Sequence, residues 1–267
     1  MIKVIVTGVC GRMGGMIAKL VCEQADMELI GAIERQGLLA IGTDAGEKVG
    51  FGKIGIPISE RLEEVIASGE VVIEFTNPET TINHLEIAAS NHKAIVIGTT
   101  GLDEIQIARI KELSRAIPIV FAPNMSIGVN LLFKLVGEVA KVLGDDYEVE
   151  IIEAHHHHKK DAPSGTALKL GKVIADNLNR DFNQVVVYGR QGQTGERKKD
   201  EIGIFAVRMG DVVGEHTVIF GSEGERLELI HRAHSRLTFV QGAVKAARFV
   251  ATASPGLYDM QDVLKIK

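Results

Sequence analysis

The stretch Ile2–Gly14, IKVIVTGVCGRMG, constrains the fold more than any other segment. The run Ile2–Thr7 is apolar enough for a strand buried on both faces. It ends in Gly8-x-x-Gly11-x-x-Gly14, and Met13–Gln24 follows with Met16, Ile17, Leu20 and Val21 at helical spacing. A second strand, Met27–Ile33, stops at Glu34. A strand that turns on glycines into a helix and returns to a second buried strand predicts a β–α–β unit with a right-handed crossover.

The alternation continues. The sequence predicts a helix over Glu60–Ala67, a strand over Val71–Phe75, a helix over Thr80–Ser90 and a strand over Ala94–Ile97. A helix over Leu102–Arg115 and a strand over Ile119–Ala122 complete the series, which reads as a parallel α/β sheet. The second half has a different grammar. One long helix, Met125–Leu143, precedes a strand over Tyr147–Ala154 and a helix over Ala167–Leu178. Then come Val185–Tyr188, Gly203–Arg208, Gly214–Phe220 and Glu225–His231, strand-like runs with little helix between them, so a separate mixed or antiparallel sheet is expected. Thr238–Thr252 is helical again.

Glycines at a strand-to-helix turn let the backbone approach a pyrophosphate, and the helix N-terminus offers N–H groups and a positive dipole end. The spacing here departs from GxGxxG, but Glu34 stands about 20 residues beyond Gly14 at a strand end, where an acid can bond the adenine ribose. Arg35 follows at once and suits a 2′-phosphate. NADH or NADPH is therefore the expected cofactor, on Gly8, Val9, Cys10, Gly11, Arg12, Met13, Glu34 and Arg35. The loops Gly98-Thr99-Thr100-Gly101 and Ala122-Pro123-Asn124-Met125 also close strands, and ligands bind outside the carboxyl ends of such strands. A plain turn is the alternative for both.

Composition removes several classes. A net charge of −5 without a basic block argues against nucleic acid or an anionic membrane as partner. No apolar run reaches the roughly 18 residues of a membrane span. Cys10 and Cys22 match neither a metal spacing nor a disulfide framework, and the first strand reaches its glycine turn too soon for a secretory leader. A cytoplasmic location is expected.

The remaining anomaly is EAHHHHKKDAPSGTA, residues 153–167. Neighbouring residues in a strand face opposite sides, so four consecutive histidines do not converge as a zinc site requires. No metal is expected. The run instead concentrates cationic and proton-exchanging groups just before a helix that Asp161 or Ser164 would cap. The N–H groups of Gly165 and Thr166 at that helix start suit a carboxylate.

Glu153-Ala-His155-His156-x-x-Lys159-x-Asp161-Ala-Pro-Ser-Gly-Thr-Ala167 resembles the signature of the dihydrodipicolinate reductase family. The resemblance extends to the GxxGRMG turn, Phe75-Thr-x-Pro78, GTTG at 98–101, Asn124-x-Ser-x-Gly-Val-Asn130, Gly210-Asp-x-Val-Gly-Glu-His216 and Ser235-Arg-x-Thr-Phe239, and so spans the chain. It implies reduction of 4-hydroxy-tetrahydrodipicolinate, a cyclic dicarboxylate, in the diaminopimelate route to lysine. By this resemblance His155 is the acid/base, Lys159 the proton donor, and His156, Gly165 and Thr166 substrate contacts. Arg236 is a further candidate anion contact, with an ordinary surface arginine as the alternative. The resemblance also implies a homotetramer built on the second sheet.

The expected fold is thus α/β: an N-terminal Rossmann-like dinucleotide-binding domain, residues 1–125 with 238–267 returning to it, plus an α+β substrate and oligomerisation domain with a mixed sheet, residues 126–237. The crossings near 125 and 237 would act as hinges.

Overall fold

The computed structural model describes residues 1–267. The chain divides into two compact units, Met1–Ile127 with Leu237–Lys265, and Gly128–Arg236.

The first unit opens with β1 (Ile2–Thr7), α1 (Arg12–Cys22) and β2 (Met27–Ile33). After the short α2 (Ala45–Lys48) and β3 (Ile58–Ser59), it continues through β4 (Val71–Glu74), α3 (Pro78–Ser90), β5 (Ala94–Ile97), α4 (Glu104–Leu113) and β6 (Pro118–Phe121). The strands form one sheet ordered β3-β2-β1-β4-β5-β6 with a last edge strand from the C-terminal segment, and every pairing is parallel. This is the Rossmann-like order, with its reversal between β1 and β4. The strands are buried on both faces because alternate side chains serve different cores. Val4 and Val6 pack with Ile17 and Val21 of α1, whereas Ile5 packs with Leu85 of α3 and Ile110 of α4.

The expected helix over Glu60–Ala67 is replaced by two 3-10 turns, Leu62–Glu64 and Ile66–Ser68. Leu62 and Ile66 are buried at the i,i+4 spacing that suggested a helix, but β-branched Val65 between them sits at φ −121°, outside helical geometry.

The second unit contains α5 (Ile127–Leu143), β7 (Glu148–His155), α6 (Gly165–Asn177), α7 (Phe182–Val185), β8 (Val186–Val187), β9 (Ile202–Arg208), β10 (Gly214–Ser222) and β11 (Glu225–Ala233). Its sheet is ordered β11-β10-β7-β9-β8 and is mixed: β7 pairs antiparallel with β10 and parallel with β9. The inner face carries Val149, Ile151, Ile204, Val218 and Phe220, packed against Phe133 and Val136 of α5 and Leu170 and Ile174 of α6. Towards the C-terminal end of β7 that face turns polar.

The tail forms α8 (Leu237–Val250), β12 (Gly256–Tyr258) and α9 (Met260–Leu264). Helix α8 approaches the loop after β6 so closely that a Cβ at Gly242 would lie 1.7 Å from the Met125 carbonyl oxygen. The edge strand β12 pairs with β6.

Candidate functional sites

The glycine turn after β1 is tight for identifiable reasons. Gly8 has φ +65°, open to glycine at little cost, and its carbonyl accepts from the Gly11 N–H at 2.8 Å. A Cβ at Gly14 would meet that carbonyl oxygen at 2.1 Å. Glu34 braces the turn from β2, accepting from the Cys10 N–H at 2.8 Å through one oxygen and from the Arg35 N–H at 2.9 Å through the other.

These groups line a cleft of about 530 Å³ at the β1/β4 reversal, with Gly8, Cys10, Gly11, Glu34, Arg35 and Phe75 among its walls. A bare glycine shelf, the opening turn of an eleven-residue helix and a carboxylate at the end of β2 fit a dinucleotide. Not every expected contact can act through its side chain. Val9, Ala122 and Met125 are buried in the apolar core and can offer only backbone. Thr99 is also turned inward, its hydroxyl accepting from the Thr76 N–H at 3.2 Å and lying 2.8 Å from that of Thr81. Gly98 leaves room for the Phe75 ring, which an added Cβ would meet at 2.1 Å. Arg12, Arg35, Thr100 and Pro123 are exposed, Met13 is half-buried, and Asn124 accepts from the Ser126 N–H at 2.9 Å.

Sequence reasoning missed the far wall of this cleft, which includes Leu38, Glu60, Asn77 and His84. Behind it lies a fully buried carboxylate, Glu74. It takes hydrogen bonds from Thr7 at 2.7 Å, Thr76, and Thr81 at 3.2 Å, and lies 2.6 Å from Nδ1 of His84. Burial pushes the Glu74 carboxyl up, but His84 and the hydroxyls outweigh it and hold it below the usual range.

The histidine run gathers a second group of residues. His155 is the last residue of β7, and its Nδ1 lies 2.6 Å from an oxygen of fully buried Glu153, two residues back on the same face. Arg208 stands opposite His155 in the parallel β7/β9 register and forks onto both Glu153 oxygens at 2.8 Å each. Burial raises the Glu153 carboxyl, and bonds from His155, Arg208 and the Ser164 N–H overcome it and bring it down to about 2. Gly214 flanks the other side of the imidazole: a Cβ there would lie 3.1 Å from Nε2.

After His155 the chain turns. His156 donates its N–H to the Val212 carbonyl at 2.7 Å, and exposed His157 sets Nδ1 against the Gly210 carbonyl at 2.8 Å. The rings of His157 and His158 lie 3.9 Å apart. No group of three or more His, Cys, Asp or Glu side chains is placed to hold a metal ion. Partial burial lowers the pKa of His156, and the charges of Arg236, His155, His158 and Lys159 lower it further. Lys159 Nζ pairs with Asp161 at 2.9 Å. The cap of α6 is Ser164, whose hydroxyl accepts from the Ala167 N–H at 3.2 Å. Gly165 and Thr166 therefore form the opening of α6, and the space beside Gly165 is empty of protein within 4 Å.

Two family models match end to end: dihydrodipicolinate reductase, N-terminus, over residues 2–125, and dihydrodipicolinate reductase, C-terminus, over residues 128–264. The chain belongs to the dihydrodipicolinate reductase family. Within that family it is similar to the 4-hydroxy-tetrahydrodipicolinate reductase of Syntrophus aciditrophicus, at 54% identity over 99% of this chain and 98% of the relative. The reductase of Citrifermentans bemidjiense is 51% identical over the full length of both. A solved dihydrodipicolinate reductase from Paenisporosarcina sp. TG-14, bound to dipicolinate, superposes with a TM-score of 0.78 at 28% identity, covering 98% of each chain. As a member of this reductase family the chain is an oxidoreductase with a nicotinamide-dinucleotide fold, and none of its helices is long and apolar enough to cross a membrane.

Proposed function

We propose that this chain reduces 4-hydroxy-tetrahydrodipicolinate to tetrahydrodipicolinate with NADH or NADPH, in the diaminopimelate route to lysine. The observation that carries the reading is a cation-rich site at the opening of α6 in a chain 54% identical, nearly end to end, to a reductase of that name. One hydride and one proton enter the ring, and one water leaves. The bound dinucleotide supplies the hydride. Its phosphates would rest on the backbone of Gly8–Met13, its adenine ribose at Glu34 and Arg35, and its nicotinamide half on 98–100 and 122–125. Glu34 favours the unphosphorylated ribose and Arg35 the 2′-phosphate, so either cofactor is accommodated.

The residues of the second unit handle charge and the proton. Gly165 and Thr166 would receive one substrate carboxylate at the positive end of α6, with His156 and Arg236 as cationic contacts. Lys159 and His155 would supply the proton as the ring nitrogen gains charge. Lys159 is held by Asp161 alone among the ion pairs, a partner that a substrate carboxylate can replace.

A homotetramer in the cytoplasm is part of the same proposal. The outer face of the mixed sheet presents a cross-strand row of Ile230, Thr217, Ile152 and Phe205, with Ile152 41% and Ile230 46% exposed. Exposed apolar rows of this kind suit burial against another copy.

The direct test is NADH and NADPH oxidation with substrate generated in place by a synthase from pyruvate and aspartate semialdehyde. Oxidation that depends on the synthase is expected; NADH binding without oxidation would confine the reading to the dinucleotide fold. A second result concerns Gly165→Ala. The added methyl meets no protein atom and improves helix propensity, so thermal stability should hold or rise. Substrate KM should increase about tenfold or more, the equivalent of one charge-assisted hydrogen bond. An unchanged KM would remove the carboxylate from this helix start.

A further inference from the structure

Glu153 continues the inner row of Val149 and Ile151, where an apolar side chain would be buried at less desolvation cost. Its two oxygens instead receive four contacts. One faces His155 Nδ1 at 2.6 Å and Arg208 Nη1 at 2.8 Å; the other accepts from the Ser164 N–H at 2.9 Å and Arg208 Nη2 at 2.8 Å. Arg208 also donates to the Asp161 carbonyl at 2.7 Å, within the loop that carries Lys159.

We propose that Glu153, locked by Arg208, is the positioning residue of this site: it fixes the proton of neutral His155 on Nδ1 and ties the imidazole to the opening of α6. The inference rests on the role assigned to His155 above. An ionised carboxylate only accepts hydrogen bonds, so the ring nitrogen facing it must carry hydrogen. That leaves Nε2, on the Gly214 side, as the nitrogen that takes and gives a proton. Arg208 holds the carboxylate ionised, so a proton taken up at Nε2 stays on the imidazole and is not passed to Glu153. Through the Ser164 N–H the same carboxylate holds the residue that caps α6. One buried anion thus sets both the proton-exchanging nitrogen and the helix start that would receive the substrate carboxylate.

The experiment combines kinetics on Glu153→Gln, His155→Ala and the double variant with nitrogen-15 NMR of histidine-labelled wild-type protein. Glu153→Gln should lower kcat about tenfold or more, part of the 10²–10⁴ that acid–base catalysis contributes. In the His155→Ala background the same change should cost less than about twofold, because the effect runs through His155. Equal losses in both backgrounds would overturn the proposal. The NMR needs neither substrate nor variant: at alkaline pH the ring shifts should show hydrogen on Nδ1 of His155. Hydrogen on Nε2 would overturn the positioning role whatever reaction the chain performs, whereas absent turnover with Nδ1 protonated would count against the reaction alone.

Discussion

Replacing Lys159 or His155 with alanine is expected to lower kcat by about two orders of magnitude or more, the usual yield of a positioned acid or base. The fold should survive both changes. Lys159 gives up one ion pair to Asp161, whose carboxylate is 63% exposed, and exposed pairs contribute little. Removing the His155 ring leaves Glu153 with Arg208 and the Ser164 N–H, so the buried charge keeps its counter-ion. The control within the run is His157→Ala. That exposed ring bonds the Gly210 carbonyl and lies tilted against His158, and turnover should change little. Steady-state kinetics checks all three, with circular dichroism for folding. Near-normal turnover in Lys159→Ala would leave the proton without its assigned donor.

The contrast between His155 and His157 shows what the sequence could reveal and what it could not. Strand periodicity puts Glu153 beside His155, a signal available from spacing alone, but it would also put His157 on that face; the chain instead turns after His155, which spacing does not show. Arg208, Gly214 and His216 reach the site through strand register, β7 against β9 and β10, and no local pattern encodes that register. The cleft divides similarly. Its glycine turn and Glu34 are adjacent to strand ends and legible, whereas Glu60, Asn77 and His84 arrive from segments brought together only by the crossover order. Buried Glu74 lay hidden in a run read as apolar, because its partners Thr7, Thr81 and His84 come from other elements. Where local pattern and tertiary context disagreed, at Glu60–Ala67, burial at i,i+4 spacing was satisfied by two short turns as well as by a helix.

His216 makes stability strongly dependent on acid. It sits between Glu153 and His231 in a cross-strand row, is 3% exposed, and sets Nε2 3.2 Å from the Ser164 hydroxyl, while its Nδ1 has no partner. Burial above all, then the charge of His155, pushes its pKa down to about 3; Glu153 opposes this, and His231 and Lys159 add smaller contributions in the lowering direction. The unfolded chain protonates the same imidazole near pH 6.5. The native state therefore binds fewer protons across this window, and its stability is full above the unfolded value and falls as pH drops towards 3. The slope from one such group is about 1.4 kcal/mol per pH unit. Glu153 adds loss in the same direction below its ordinary 4.5, since its native carboxyl titrates at about 2. Between pH 6.5 and 5 Glu153 does not yet contribute, and His156 and His231, whose pKa values are also lowered, are common to both proteins, so wild-type protein should lose about 2 kcal/mol more than His216→Asn in urea unfolding. Parallel pH profiles would mean that His216 takes up its proton without leaving the fold. A neutral His216 also matters for the chemistry beside it. The ring of His155 lies 5.3 Å away, and a second fixed cation at that distance would oppose every proton His155 takes up.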